Sequence, residues 1–239
     1  MSKLKLTYRF ALPDSKERVF NLELDRDTAL LTSKTPADPP PWTQLAFNQC
    51  VGCPLDREKV SHCPAALHLV NPIDGFADLV SYDQVRVTVE TDERSVVATL
   101  SAQQALASLM GLIMASSGCP RTAVFRPMAR FHLPFSSEAE TAYRVAAMYL
   151  VAQHFIARDG GEPDLDLENL ESVYRGVHAV NRGMATRLRA ASRQDAIVNA
   201  IVLLDVYSSL VPAAIHEILD EIKPAFAALL SDAATLAKA

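Results

Sequence analysis

Four cysteines are the residues of this chain whose spacing could do chemistry. Three of them form Cys50-x2-Cys53-x9-Cys63, and the fourth, Cys119, stands alone. A C-x-x-C pair lets two thiolates converge on one ion from a tight turn, and two further thiolates complete a four-coordinate sulfur site. The spacing therefore predicts one metal centre held by Cys50, Cys53, Cys63 and Cys119.

The identity of the metal does not follow from the number of ligands, because a [4Fe–4S] cluster and zinc are both held by four thiolates. Proline follows three of the cysteines, and Cys-Pro recurs at cluster ligands. The residues around the cysteines are also apolar, which suits a buried cluster. These features favour iron–sulfur slightly over structural zinc. His62 or His68 is a possible replacement for one thiolate, although a solvent-facing or capping histidine is the simpler interpretation.

Two other interpretations of the cysteines remain. Unligated cysteines are common as small core residues, but the clustering of three of them argues against this. Two disulfides would require an oxidising compartment. The residues from Met1 to Leu6 run directly into a strand-like alternation with no secretory signal, so the sequence predicts a cytoplasmic protein.

A second constellation lies in a segment rich in arginine and phenylalanine. Arg126, Arg130 and His132 alternate there with aromatic residues, which predicts a possible anion-binding site in an enzyme or binding protein. Alternatively, the aromatic residues pack in the core and the arginines pair with acidic helix starts. No nucleophile elbow, P-loop or dinucleotide motif is present, so no residue is predicted to be catalytic.

The charge of the chain limits its partners. A net charge of −5 gives no electrostatic case for binding nucleic acid or an anionic membrane. The longest apolar runs are interrupted by charge or too short to span a bilayer, which predicts a soluble protein. A basic stretch, Arg182, Arg187, Arg189 and Arg193, is expected on a solvated helix face.

Hydrophobic periodicity places these residues on elements. Alternating apolar residues predict a strand over 4–10 and a hairpin over 85–100, with a turn at 13–15 after the first strand. Helical patterns begin at Ser101 and continue in four further helices, predicted over about 138–157, 167–189, 194–210 and 212–230.

The predicted fold is therefore α+β. An N-terminal antiparallel β part, residues 1–100 with a cysteine loop at 47–70, is joined through the four-cysteine site to a C-terminal helical bundle, residues 101–239. Both parts are expected to form one compact unit.

Several motifs resemble those of an uncharacterised bacterial family described only as a domain of unknown function. They are NQC-x2-CPL at 48–55, CPAA at 63–66, SGCP at 117–120 and PMARFHLPF at 127–135. The likeness covers nearly the whole chain. It implies a bacterial source and no particular activity.

The residues and the resemblance together predict a non-catalytic, metal-binding protein with a regulatory or redox-sensing role. Its partner would be another protein or a second copy, contacted through the helices. An enzyme or binding protein that holds an anionic ligand is the alternative, and it requires Arg126, Arg130 and His132 to converge in one concave pocket.

Overall fold

The computed structural model describes residues 2–12, 16–76, 78–191 and 195–236, without the side chains of 232–236. The turn predicted at residues 13–15 lies outside the described residues, as does Arg193.

A four-stranded antiparallel sheet opens the fold. Its strands are β1 (Lys3–Ala11), β2 (Glu17–Asp25), β3 (Gln84–Thr91) and β4 (Ser95–Ser101), in the order β2-β1-β3-β4. The central strand β1 pairs with β2 on one side and β3 on the other. The predicted hairpin of β3 and β4 is thereby confirmed.

One face of the sheet forms one side of the hydrophobic core, because its apolar residues alternate with polar ones as a half-buried strand requires. The buried residues of this face are Leu4, Leu6, Tyr8, Phe10, Leu22, Leu24, Val85, Val87 and Val89. They belong to a cluster that continues into the helices.

Seven α-helices are present in the described part of the chain. They are α1 (Pro64–Gly75), α2 (Ala102–Ser116), α3 (Arg126–Arg130), α4 (Glu138–Arg158), α5 (Leu170–Ala191), α6 (Asp195–Ile222) and α7 (Ala227–Leu236). A four-stranded antiparallel sheet followed by helices confirms the predicted α+β fold.

Helix α2 lies at the centre of the molecule, between the sheet and α6. Eleven of its fifteen residues are buried, which is expected for a helix that is apolar on every face. A capping box of Ser101 and Gln104 starts it, and Gly118, with a φ of +88°, follows its end. The predicted start and end of this helix are therefore confirmed.

Helix α6 differs from the prediction, which placed a break before Pro212. The helix runs through Pro212 without interruption. Val211, Ile215 and Ile218 are buried on both sides of the proline, so packing compensates for the missing backbone hydrogen bond. Pro224 does end the helix as expected, because it lies in a short 3-10 segment after Ile222.

The stretch Asp195–Ser231 is long and apolar enough to cross a membrane by length and composition. Charged residues such as Asp205 and Glu217 interrupt this stretch, in line with the expectation that the longest apolar runs are interrupted by charge or too short. Within it, α6 packs against α2, α4 and α5, and 33% of its most apolar window is buried. The fold fits a soluble protein.

Two hydrophobic clusters fill the part of the structure that is described. The larger joins the sheet, α1, α2 and the facing ends of α5 and α6. The smaller joins α4 to the other ends of α5 and α6. The larger cluster includes residues on both sides of the predicted division at residue 100, and the behaviour of the chain as one unit stays a prediction.

Candidate functional site

The structure brings the four cysteines to one place. Cys50 and Cys53 lie in the loop before α1, Cys63 is the N-cap of α1, and Cys119 follows α2. All four are free thiols and line a cavity of about 10 Å³. The turn between Cys50 and Cys53 is closed by a 3.0 Å backbone hydrogen bond, with Gly52 at a φ of +66°.

The predicted metal-binding function is nevertheless contradicted. Among residues 2–12, 16–76, 78–191 and 195–236, no group of three or more His, Cys, Asp and Glu side chains could hold a metal ion. Burial raises the pKa of Cys50 to about 11 and raises the pKa of Cys63, so both are thiols near neutral pH. The slight preference for an iron–sulfur cluster over zinc stays a prediction.

A buried arginine joins the cysteine loop to the helical part, a role that the sequence analysis assigned to a metal. Arg187 of α5 is 1% exposed and lines the cysteine cavity. Its guanidinium donates to the carbonyl oxygens of Trp42 (2.6 Å), Gln44 (2.7 Å) and Leu45 (3.1 Å). Arg187 was expected on a solvated face, and this expectation is wrong. The loop is held to the helical part by hydrogen bonds from a buried cation.

The three residues of the predicted anion site are not brought to one pocket. Arg130 Nε donates to the Arg26 carbonyl oxygen (3.0 Å), and its guanidinium lies over the Phe131 ring. Arg126 Nε is buried with no hydrogen-bond partner in the described part of the chain. Of the three, His132 is the one that lines the main cavity of the molecule.

This cavity has a volume of about 450 Å³ and lies where the two hydrophobic clusters meet. Helix α2 forms one wall, α5 and α6 form the opposite wall, and the segment 122–136 closes one side. Most of the lining is apolar, including Ala107, Leu112, Phe125, Val177 and Leu203. A concave apolar space of this size is typical of a small-molecule site.

A hydrogen-bonded chain of three side chains reaches the wall of the cavity. The fully buried Tyr8 hydroxyl lies 3.0 Å from Ser108 Oγ and is hydrogen-bonded to His132 Nε2. Ser108 and His132 line the cavity. Burial, aided by the Arg144 cation, lowers the pKa of His132 to about 3, and burial raises the pKa of Tyr8. All three groups are therefore uncharged near neutral pH.

One cation, Arg144 of α4, also lines the cavity. Its Nη2 donates to the carbonyl oxygens of Met128 and Phe131, both at 3.1 Å. Its Nη1 donates to Ser136 Oγ (3.2 Å) and to the Leu133 carbonyl oxygen (3.4 Å). Arg144 therefore holds the segment after α3 against α4.

On the opposite wall, Asn181 Nδ2 donates to Ser208 Oγ at 3.3 Å, and Ser208 donates to the Asp205 carbonyl oxygen at 2.8 Å. Asn181 and Ser208 are buried, and both line the cavity. Their mutual hydrogen bond joins α5 to α6 at this point, so the wall is fixed by a polar contact as well as by packing.

Sequence reasoning did not identify this cavity. In the sequence, Tyr8 is one of the alternating apolar residues of a strand, and neither Ser108 nor Arg144 belongs to a recognisable motif. A serine among the apolar residues in the middle of α2 was the available signal, because a polar residue on a buried face needs a partner. The partner comes from a strand one hundred residues earlier in the chain.

Comparison with known proteins places the chain within a described family. Residues 6–227 match the sequence model of a family described as "Domain of unknown function (DUF6901)". No curated protein and no solved structure matches the chain.

Proposed function

Because the chain belongs to the DUF6901 family, whose description assigns no activity, we propose a function from the geometry of the cavity: the protein binds a small, largely apolar molecule. The observation that carries this proposal is the cavity of about 450 Å³ between α2 and the pair α5 and α6. Its volume is within the range of small-molecule sites, roughly 300–1,000 Å³.

The lining supports a ligand better than a packing defect. The cavity is partly open to solvent, so a ligand can reach it, and its wall carries oriented polar groups at Ser108, His132 and Asn181. Fixed polar groups in an apolar wall are what orient a bound molecule.

The location and partners of the protein follow as further proposals. A cytoplasmic location is one of these proposals. Contact with a protein partner or a second copy through the helices stays a prediction.

A dye titration tests the ligand-binding proposal. N-phenyl-1-naphthylamine is an uncharged dye whose fluorescence rises in apolar surroundings, and we expect it to bind wild-type protein saturably with one site per chain. Ala107→Phe places a ring in the cavity and should weaken binding about tenfold or more, because the dye and the ring compete for the same space.

Two further variants keep this test decisive. Ala190→Phe adds the same ring at an exposed position of α5 and should leave the dye affinity unchanged. Ala107→Leu is a smaller filling change that serves if the phenylalanine variant fails to fold. Absence of saturable binding, or an affinity that neither cavity variant alters, would overturn the proposal.

A further inference from the structure

The polar wall of the cavity points to the chemical class of the ligand. Resting on the proposed function, we infer that the ligand carries an uncharged oxygen group, a hydroxyl or a carbonyl, that hydrogen-bonds to Ser108.

The charges around the cavity disfavour an ionic ligand end. Among the described residues, no Asp, Glu or Lys side chain lines it. An ammonium group would therefore enter an apolar space without a counter-charge, which is costly. The single cation, Arg144, already donates to four acceptors and feels the nearby Glu140 carboxylate. A ligand carboxylate would have to compete with these acceptors for the guanidinium of Arg144.

The chain from Ser108 through Tyr8 to His132 fits a neutral oxygen in either direction. If the Tyr8 hydroxyl donates to His132 Nε2, then Ser108 donates to Tyr8 and keeps an oxygen lone pair for the ligand. If His132 Nε2–H donates to Tyr8, then Tyr8 donates to Ser108, whose own hydrogen is free for the ligand. Ser108 can therefore accept from a hydroxyl or donate to a carbonyl.

The direction in which Tyr8 donates to His132 needs an uncharged imidazole, because imidazolium could only donate. The enclosure of His132 beside Arg144 keeps its pKa near 3, so the imidazole is neutral over the whole physiological range. The recognition of the ligand therefore rests on neutral hydrogen bonds in an apolar wall.

A matched set of ten-carbon compounds tests the inference by displacement of N-phenyl-1-naphthylamine. Decan-1-ol, decanoate and decylammonium share one chain and differ in the end group, and at about pH 8 the acid and the amine are both ionised. We expect decan-1-ol to displace the dye about tenfold more effectively than either ion, equivalent to about 1.4 kcal/mol.

A serine variant then locates the polar end. Ser108→Ala should weaken decan-1-ol about five- to tenfold, the value of one hydrogen bond of about 1–1.4 kcal/mol, and should weaken the dye, which has no oxygen group, to a smaller extent. Ser209→Ala removes an exposed hydroxyl of α6 outside the cavity lining and should change neither affinity.

The outcomes separate the two proposals. If the dye binds in the cavity but decanoate or decylammonium matches decan-1-ol, the ligand class is wrong and the ligand-binding function stands. Equal decan-1-ol affinity in wild type and Ser108→Ala likewise overturns the assignment to Ser108 alone. If neither the dye nor any ten-carbon compound binds wild-type protein, the proposed function falls and the inference falls with it.

Discussion

At the scale of single residues, Arg187 shows how one side chain can fix a long loop. The loop between β2 and α1 has little regular structure, so its carbonyl oxygens need partners from elsewhere. Arg187 supplies three of these hydrogen bonds from α5. A planar guanidinium with several donors suits this role, whereas a lysine ammonium offers a point charge on a flexible stem.

Replacement of Arg187 by methionine should lower the free energy of unfolding by about 3 kcal/mol. The variant keeps an apolar stem of similar length but leaves three carbonyl oxygens of the loop without their charged donor, and each such loss costs about 1–3 kcal/mol before relaxation. Urea denaturation followed by circular dichroism measures the difference.

Arg189→Met is the matched control, because Arg189 is exposed on the same helix and should change stability by no more than about 0.5 kcal/mol. Arg187→Lys should fall between wild type and Arg187→Met. Equal stabilities of the Arg187→Met and Arg189→Met variants would show that the hydrogen bonds of Arg187 do not hold the loop.

At the scale of elements, two helical glycines have opposite surroundings. A Cβ built on Gly111 in α2 would lie 3.4 Å from Leu204 Cδ2, an ordinary contact with α6. A Cβ built on Gly183 in α5 would lie 2.6 Å from Cys50 Sγ and 3.3 Å from Cys50 Cα. The cysteine loop therefore approaches α5 closely enough to require glycine, and α6 does not approach α2 that closely.

We expect alanine at these two positions to shift stability in opposite directions. Gly111→Ala should stabilise by about 0.5–1 kcal/mol, because alanine is the better helix former. Gly183→Ala should destabilise by about 1–3 kcal/mol, because the added methyl overpacks against the backbone and sulfur of Cys50. The midpoint of urea unfolding reports both changes, and a shift of the same sign in both variants would refute the difference in packing.

At the scale of the whole molecule, α5 and α6 connect the two hydrophobic clusters. Each helix buries one end in the larger cluster and the other end in the smaller one. The cavity lies between the two clusters. Loss of either cluster would therefore remove packing from helices that support the other. The molecule should unfold as one cooperative unit although its apolar core is divided.

Two spectroscopic signals test this cooperativity. Trp42 is the one tryptophan of the sequence and packs against the larger cluster, whereas far-ultraviolet circular dichroism reports mainly on the helices. We expect their urea midpoints to coincide, and Ile215→Ala in the smaller cluster to lower both midpoints equally, with a loss of about 2–5 kcal/mol. A shift of the helical signal alone would indicate two independent units.

The features that depend on neighbouring residues could be predicted from the order of the amino acids. Period-two alternation identified β1 and the hairpin of β3 and β4, and Ser101 with Gly118 identified the ends of α2, because side-chain direction and capping are local properties of the chain. The C-x-x-C spacing also indicated correctly that Cys50 and Cys53 share a tight turn.

The features that depend on distant segments are set by tertiary packing and could not be predicted from local patterns. In the sequence, Arg187 resembles any arginine of a surface helix, and its role depends on the loop at residues 42–45 that folds onto it. The role of Ser108 likewise depends on its hydrogen bond with Tyr8. The cavity exists because α2, α5 and α6 leave space between two clusters, a consequence of how whole helices pack. Hydrophobic patterning specifies that a face is buried, whereas the partner of that face is set by the packing of the entire chain.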